Sequence, residues 1–284
     1  MKFGVATFVT DEGVRPDVLA KAAEERGFES LLIPEHSHIP ADRQTPYPGG
    51  GDLPSSYYRS LDPFAALSAA AAVTQEIKLG TGICAVFQRD AIHTAKEVAT
   101  VDLLSNGRFL FGVGTGWLRE EMRHHGTDPA TRLSLVGERI QAMKAFWSRE
   151  VAEFHGHHLD IAPSYMWPKP VQRPHPPILV GGMGPTVLDR VLEYGDGWLP
   201  NMIGQPVERL HTMLGQLLNK AAEAGRAPVP VTVLGAPVDA AEIEVYATSG
   251  VERSVFLMPT LPTGETLGLL DKLAEFIDPL MRPE

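Results

Sequence analysis

The sequence predicts an α/β fold, a (β/α)8 TIM barrel folded as a single domain over residues 1–284, and three observations carry that expectation. Eight short apolar runs are spread along the chain, most of them followed by a stretch with helical apolar spacing. Residues 77–117 hold two such runs joined by a helix, the arrangement of a right-handed parallel crossover. No fixed-period repeat, low-complexity segment or linker divides the chain. On pattern alone, the rival arrangement is a doubly wound sheet.

The first strand is expected at residues 3–8. The helix over 16–26 follows, with Leu19, Ala22 and Ala23 on one side and Gly27 as its cap. The second strand, 30–33, ends in Pro34-Glu35-His36. An insertion loop over 37–60, rich in Pro and Gly, comes next, and loops of that length are usually lids or binding loops. Asp62-Pro63 opens the following helix, with Pro at its first position. The third strand, 77–80, runs into Thr81-Gly82. The helix over 91–104 places Ile92, Ala95, Val98, Ala99, Val101 and Leu104 on one apolar face and is stopped by Asn106-Gly107. The fourth strand, 108–113, ends in Gly114-Thr115-Gly116. A helix over about 131–147 is followed by an irregular β excursion at 154–165, ahead of the fifth strand at 178–180. Strands at 197–200, 229–234 and 254–258 complete the eight, with helices from near Pro185, over 206–224 and over 267–280.

Twenty-five basic residues against thirty-five acidic ones give a net charge of −10, which argues against a nucleic-acid or anionic-membrane surface. No segment approaches the apolar length that crosses a bilayer, and the chain starts directly on a strand-like run, so a cytoplasmic location is expected. One cysteine, Cys84, excludes an internal disulfide framework.

Barrel enzymes place their chemistry at the carboxyl ends of the strands. Here those ends supply Ala6 and Thr7, Glu35 and His36, Gly82 and Ile83, Gly114 to Gly116, and Gly181 to Gly184. Only Glu35-His36 brings titratable groups, a carboxylate beside the side chain suited to proton transfer near neutral pH; the plain alternative is a polar histidine at a loop entry. The glycine clusters allow backbone N–H groups to approach a flat or anionic ligand, or else simply make tight turns. His124-His125 and His155-Gly156-His157-His158 lack a carboxylate or cysteine in ligand spacing, so no metal site is expected. GTGW and GGMG lack the GxSxG elbow, which leaves hydrolase chemistry unsupported.

IPEHSHIP, the block LGTGICAVFQRD…AKEVATVDLLSNGRFLFGVGTGW, PKPVQRPHPPILVGG and YGDGWLP together resemble the luciferase-like monooxygenase superfamily, in its coenzyme F420-dependent oxidoreductase branch from actinobacteria. The resemblance runs from Phe3 to about Trp198 and implies a TIM barrel, usually a homodimer, that holds a flavin or deazaflavin at its C-terminal mouth. In that reading His36 serves proton transfer, and Glu35 orients it or contacts the cofactor ring. Gly82-Ile83 matches a non-prolyl cis peptide that backs the ring, Gly181, Gly182, Met183 and Gly184 match the region that receives the cofactor phosphate, and Thr115, Gly116 and Trp117 match residues along its side chain. Thr7 and Gly114 complete the cofactor-binding set. Flavin-using luciferases carry an Arg where Thr115 stands, which tilts the cofactor towards F420, with FMN and a separate reductase as the alternative. A barrel that binds cofactor without turnover is the third reading. Glu12 is out of register with the acidic residue of sugar-phosphate-oxidising relatives, so the substrate is left as a small organic molecule.

Overall fold

The computed structural model describes residues 1–281. The last three residues of the expected domain, 282–284, lie outside the described residues. The chain runs β1 (Lys2–Ala6), α1 (Pro16–Glu25), β2 (Ser30–Ile33), α2 (Ser56–Arg59), α3 (Pro63–Ala71), β3 (Lys78–Thr81), β4 (Cys84–Ala85), α4 (Ala91–Leu104), β5 (Phe109–Gly114), α5 (Arg119–His124) and α6 (Arg132–Ser148). It continues through β6 (Val151–His155), β7 (Asp160–Tyr165), β8 (Ile178–Gly181), α7 (Val187–Tyr194), β9 (Gly197–Leu199), α8 (Val207–Glu223), β10 (Thr232–Leu234), α9 (Ala240–Thr248), β11 (Arg253–Leu257) and α10 (Thr263–Met281).

Eight parallel strands lie in the order β10-β11-β1-β2-β3-β5-β8-β9, with the short β4 paired to β5. Parallel bridges Trp198–Val231 and Asn201–Leu234 join β9 to the β10 side and close the barrel. Strand alternation divides the apolar side chains between two layers. Ala6, Leu32, Leu110, Leu179, Leu199, Leu234 and Val255, one from each of seven strands, fill the interior with Ile83 packed on them. Their neighbours, such as Val5, Leu31, Phe109 and Val180, point outward to a larger core beneath the helices.

The helices start where the sequence provides caps. Asp62 accepts from the Ala65 N–H ahead of α3, and Asp90 accepts from Ile92 and His93 N–H at α4. Asn106 and Gly107 both take positive φ, and the Gly107 N–H returns to Asp102 O, which ends α4 as expected.

Three expectations need correction. The buried face of α4 is rotated: Ile92 and Leu104 are exposed, while Thr94 and Asp102 are buried with Ala95, Val98, Ala99 and Val101. Asp102 is tolerated there because Gln172 donates to it from both its backbone N–H and its side-chain amide. The seventh strand is only Thr232–Leu234. Between it and β11 lies α9, absent from the sequence reading; it buries only Ile243 and Tyr246 and so shows little periodicity. The excursion before the fifth barrel strand is the antiparallel hairpin β6–β7. Among the described residues, no helix is long and apolar enough to cross a membrane.

Candidate active site

At the end of β2 the chain turns through Pro34, Glu35 and His36 into the carboxyl-end mouth of the barrel, over a cleft of about 340 Å³. That size suits a small-molecule ligand. The insertion loop crosses back over this mouth. Leu61 N–H bonds to Val9 O, Glu120 accepts from Gln44 and Thr45 N–H, and Arg59 pairs with Asp11 and Glu12. The loop is thereby pinned at three places. It carries Tyr47 and Tyr57 onto the cleft, with the Tyr57 hydroxyl 3.2 Å from that of Tyr47. Burial first, then this bond, holds the Tyr57 phenol well above its ordinary range, so it stays protonated.

His36 sits inside this aromatic frame. Its ring centroid is 5.1 Å from Tyr57, 5.8 Å from Trp117 and 6.4 Å from Phe8. Its Nδ1 lies 2.9 Å from Oε2 of Glu121, whose side chain is 1% exposed. An ionised carboxylate only accepts, so Nδ1 carries the proton in this bond and Nε2 is left as the free basic nitrogen. Glu121 comes from α5, directly after the Gly114–Trp117 turn.

Glu35 lines the cleft, but the structure corrects one of its two expected roles, that of orienting His36. Its carboxylate faces away from His36: Oε2 accepts from the Ala85 N–H at 2.7 Å and Oε1 from Arg89 Nε at 2.6 Å. Arg89 also binds Asp62 and Glu97 and stacks over the Phe64 ring. Burial opposes the Arg89 charge, but Glu35 and its other acidic neighbours raise its pKa further than burial lowers it. Glu35 therefore fastens the β2 end to the β4 segment, and the carboxylate that orients His36 is Glu121.

Gly82, Ile83 and Trp117 line the cleft beside His36, and the Gly82–Ile83 peptide is cis. A Cβ on Gly114 would come 2.5 Å from Ile83 Cδ1, so the glycine lets β5 pass close behind that side chain. Gly114, Thr115, Gly116 and the loop from Gly181 to Gly184 lie around the cleft without lining it. Thr7 is buried, with its hydroxyl directed at the Phe8 and Pro259 carbonyls. In the glycine loop, Gly182 has φ +108° and open space where a side chain would stand. Arg209, from α8, donates to Met183 O at 2.8 Å and to Gln205 Oε1 at 2.6 Å. Gln205, Asn201 and Ile203 line the cleft from the side of β9.

Glu121, Tyr47, Tyr57, Phe8, Asn201, Gln205 and Arg209 were all missed from the sequence. Their only signal was position, since each follows a strand end or sits in the insertion loop. Glu12 stands apart from the cleft, paired with Arg59. His124 and His125 pack against His38, and no metal-holding group of His, Cys, Asp and Glu occurs among the described residues. Cys84 is fully buried; burial first, then the charge of Glu35, pushes its thiol up, so it is an inert packing residue.

A closed (β/α)8 barrel with a cleft at its C-terminal mouth and one oriented histidine defines a candidate barrel-enzyme site. The chain belongs to the luciferase-like monooxygenase family, whose model matches residues 15–248. It is 36% identical over 283 residues to an uncharacterised protein of Mycobacterium tuberculosis, covering 96% of this chain and 98% of that one. Among solved structures, the monooxygenase RslO1 from Streptomyces bottropensis superposes with a TM-score of 0.81 at 21% identity, over 99% of this chain and 100% of that one. An F420-dependent secondary alcohol dehydrogenase, solved with an F420-acetone adduct, gives 0.75 at 19% identity over the whole of both chains. At those identities the likeness is one of fold.

Proposed function

We propose that this protein moves a hydride between a small organic substrate and bound coenzyme F420. The observation that carries this reading is the His36–Glu121 pair: a histidine lining the cleft, its Nδ1 fixed by a buried carboxylate and its Nε2 free. The residues present fit a flavin-like group. Ile83 offers an apolar wall, the loop from Gly181 to Gly184 leaves open space at Gly182, and Arg209 supplies a cation beside that loop for a phosphate. Thr115 brings no charge of its own, which favours the deazaflavin over FMN. The name of the F420-dependent alcohol dehydrogenase supports the same direction.

Bound F420 would supply the ring carbon that gives or takes the hydride. The chain's own residues do the rest. His36 Nε2 takes the proton of a substrate hydroxyl in the oxidising direction and returns it in the reducing one. Glu121 keeps the ring in the tautomer that allows this. Phe8, Tyr47, Tyr57 and Trp117 exclude water from the reacting centre. Glu35 acts as a positioning residue through Ala85 and Arg89.

The second reading, an FMN-dependent monooxygenase served by a separate reductase, draws on the family's description and on RslO1. Turnover separates the two: candidate alcohols, ketones and aldehydes are screened with F420 in both redox directions, and with reduced FMN under oxygen. Oxygen-dependent turnover with FMN alone would overturn the F420 reading. In either reading a homodimer is expected, supported by the exposed apolar side chains Leu103, Leu104, Trp167 and Val171 near α4.

A further inference from the structure

The His36–Glu121 pair does not end at Glu121. The other carboxylate oxygen of Glu121, Oε1, is 3.1 Å from the Ser37 N–H and 3.3 Å from Ser37 Oγ. That hydroxyl is 2.7 Å from His125 Nε2 and 2.9 Å from His38 Nδ1. His38 Nε2 is in turn 2.8 Å from His124 Nδ1, the two rings stacked at 11°. His124 and His125 are exposed, on the α5 side of the barrel, whereas Glu121 is buried and the His36 side chain is 10% exposed. The sequence reading assigned His124 and His125 no role, and the proposed chemistry uses neither.

We propose that Glu121, Ser37, His125 and the His38–His124 pair form a proton relay that connects His36 to solvent behind the cleft. The inference rests on the reading of His36 as the proton-transfer residue. With cofactor and substrate filling the cleft, the direct route from Nε2 to water would be closed, and a positive charge left on a desolvated imidazole is costly. The relay balances that charge. As Nε2 takes a substrate proton, the Nδ1 proton passes to Glu121 Oε2; the carboxyl group then turns over so that its protonated oxygen faces Ser37 and donates to Ser37 Oγ, while the Ser37 hydroxyl hydrogen moves on to His125 Nε2 or His38 Nδ1, which leaves Glu121 ionised again. One proton enters, one leaves, and the ring stays neutral. When the product leaves, Nε2 releases its proton and the relay returns one to Nδ1.

The surroundings suit a neutral acceptor at the outer end. Partial desolvation of its ring first, then the neighbouring His38, holds the His125 pKa below its ordinary value, against the pull of Glu121 and Glu35. His124 lowers it further. Gln88, whose Oε1 is 3.3 Å from Ser37 Oγ, is the uncharged neighbour on the remaining side, and Glu35 is held by Arg89.

Histidine-labelled protein (¹⁵N) tests this without any ligand. The exchange of the His36 Nδ1–H with water is measured by NMR in the wild type, in Ser37→Ala and in the double variant His38→Ala/His125→Ala. Exchange should slow on the order of tenfold in both variants while the ring keeps its tautomer. In steady state with F420, the same variants should lose kcat by a similar factor, leave KM unchanged and recover with added imidazole. Unchanged exchange in both variants would overturn the relay, whatever the cofactor proves to be. Slowed exchange in a protein that never transfers hydride to F420 would uphold the relay and sink the F420 reading instead. Ser37 is exposed, so its loss of a hydroxyl should leave the fold intact.

Discussion

The mouth of the barrel is built in two ways. On the side of β2 and α5, side chains are fixed by side chains: Glu121 on His36, Arg89 on Glu35, Tyr57 on Tyr47. Across the barrel, after β8, the wall is backbone with glycines, and one arginine reaches over it to a carbonyl. The difference follows from what each side must do. Proton transfer needs an atom held in place within hydrogen-bond reach, whereas holding an anionic tail needs room for backbone N–H groups to approach. Substitutions on the first side should therefore change turnover, and those on the second should change affinity.

The largest expected effect is that of His36→Ala. Turnover should fall on the order of 10²- to 10⁴-fold, while F420 affinity changes by less than about tenfold, read by steady-state kinetics and fluorescence titration. Equal loss of both would place His36 among the binding groups and erase the contrast between the two sides. Arg209→Ala should do the reverse, weakening F420 by about tenfold, a charge-assisted contact's worth, with kcat little altered. A kcat loss with normal affinity would show that the β8 side takes part in chemistry. Gly182→Val is next, because a β-branched residue at φ +108° is strained whatever space surrounds it. It should cost about 1–2 kcal/mol of stability, seen as a lowered Tm, and weaken F420 without changing the pH profile of turnover.

The smallest effect lies away from the mouth and serves as the control for acid conditions. Burial would raise the Glu29 pKa, but the Arg253 guanidinium, bound at 2.6 and 2.7 Å, more than offsets it and holds the group below its ordinary 4.5. The unfolded chain therefore binds more protons there. The stabilisation is complete above about pH 4.5 and is lost as the pH falls through the folded value. Denaturant midpoints measured downward from pH 6 should show this decline, and Glu29→Gln should flatten it.

The barrel itself was legible because its strands are short, apolar on both faces and separated by helices of strong period, as with α1, α7 and α8. What misled was local. The α4 face was read from its apolar residues, yet a buried Asp102 satisfied by Gln172, 70 residues away, turned the helix. The α9 helix buries two residues and left no period to read. At the site, His36, Gly82 and Ile83 could be found because each stands at a strand end. Glu35 was assigned to His36 because the two are adjacent in sequence, but consecutive residues leaving a strand point in different directions. The true partner, Glu121, lies 85 residues on, and only the closed barrel brings α5 to the end of β2. The relay through Ser37 and three histidines was invisible for the same reason.

The most direct test of the account is titration of the purified protein with coenzyme F420 and, separately, with FMN, followed by fluorescence. Selective, tight binding of F420 is expected, since a cleft walled by Ile83 and flanked by the glycine loop and Arg209 carries no arginine at Thr115. Preference for FMN would contradict it and make the oxygen-dependent monooxygenase the leading reading of this cleft.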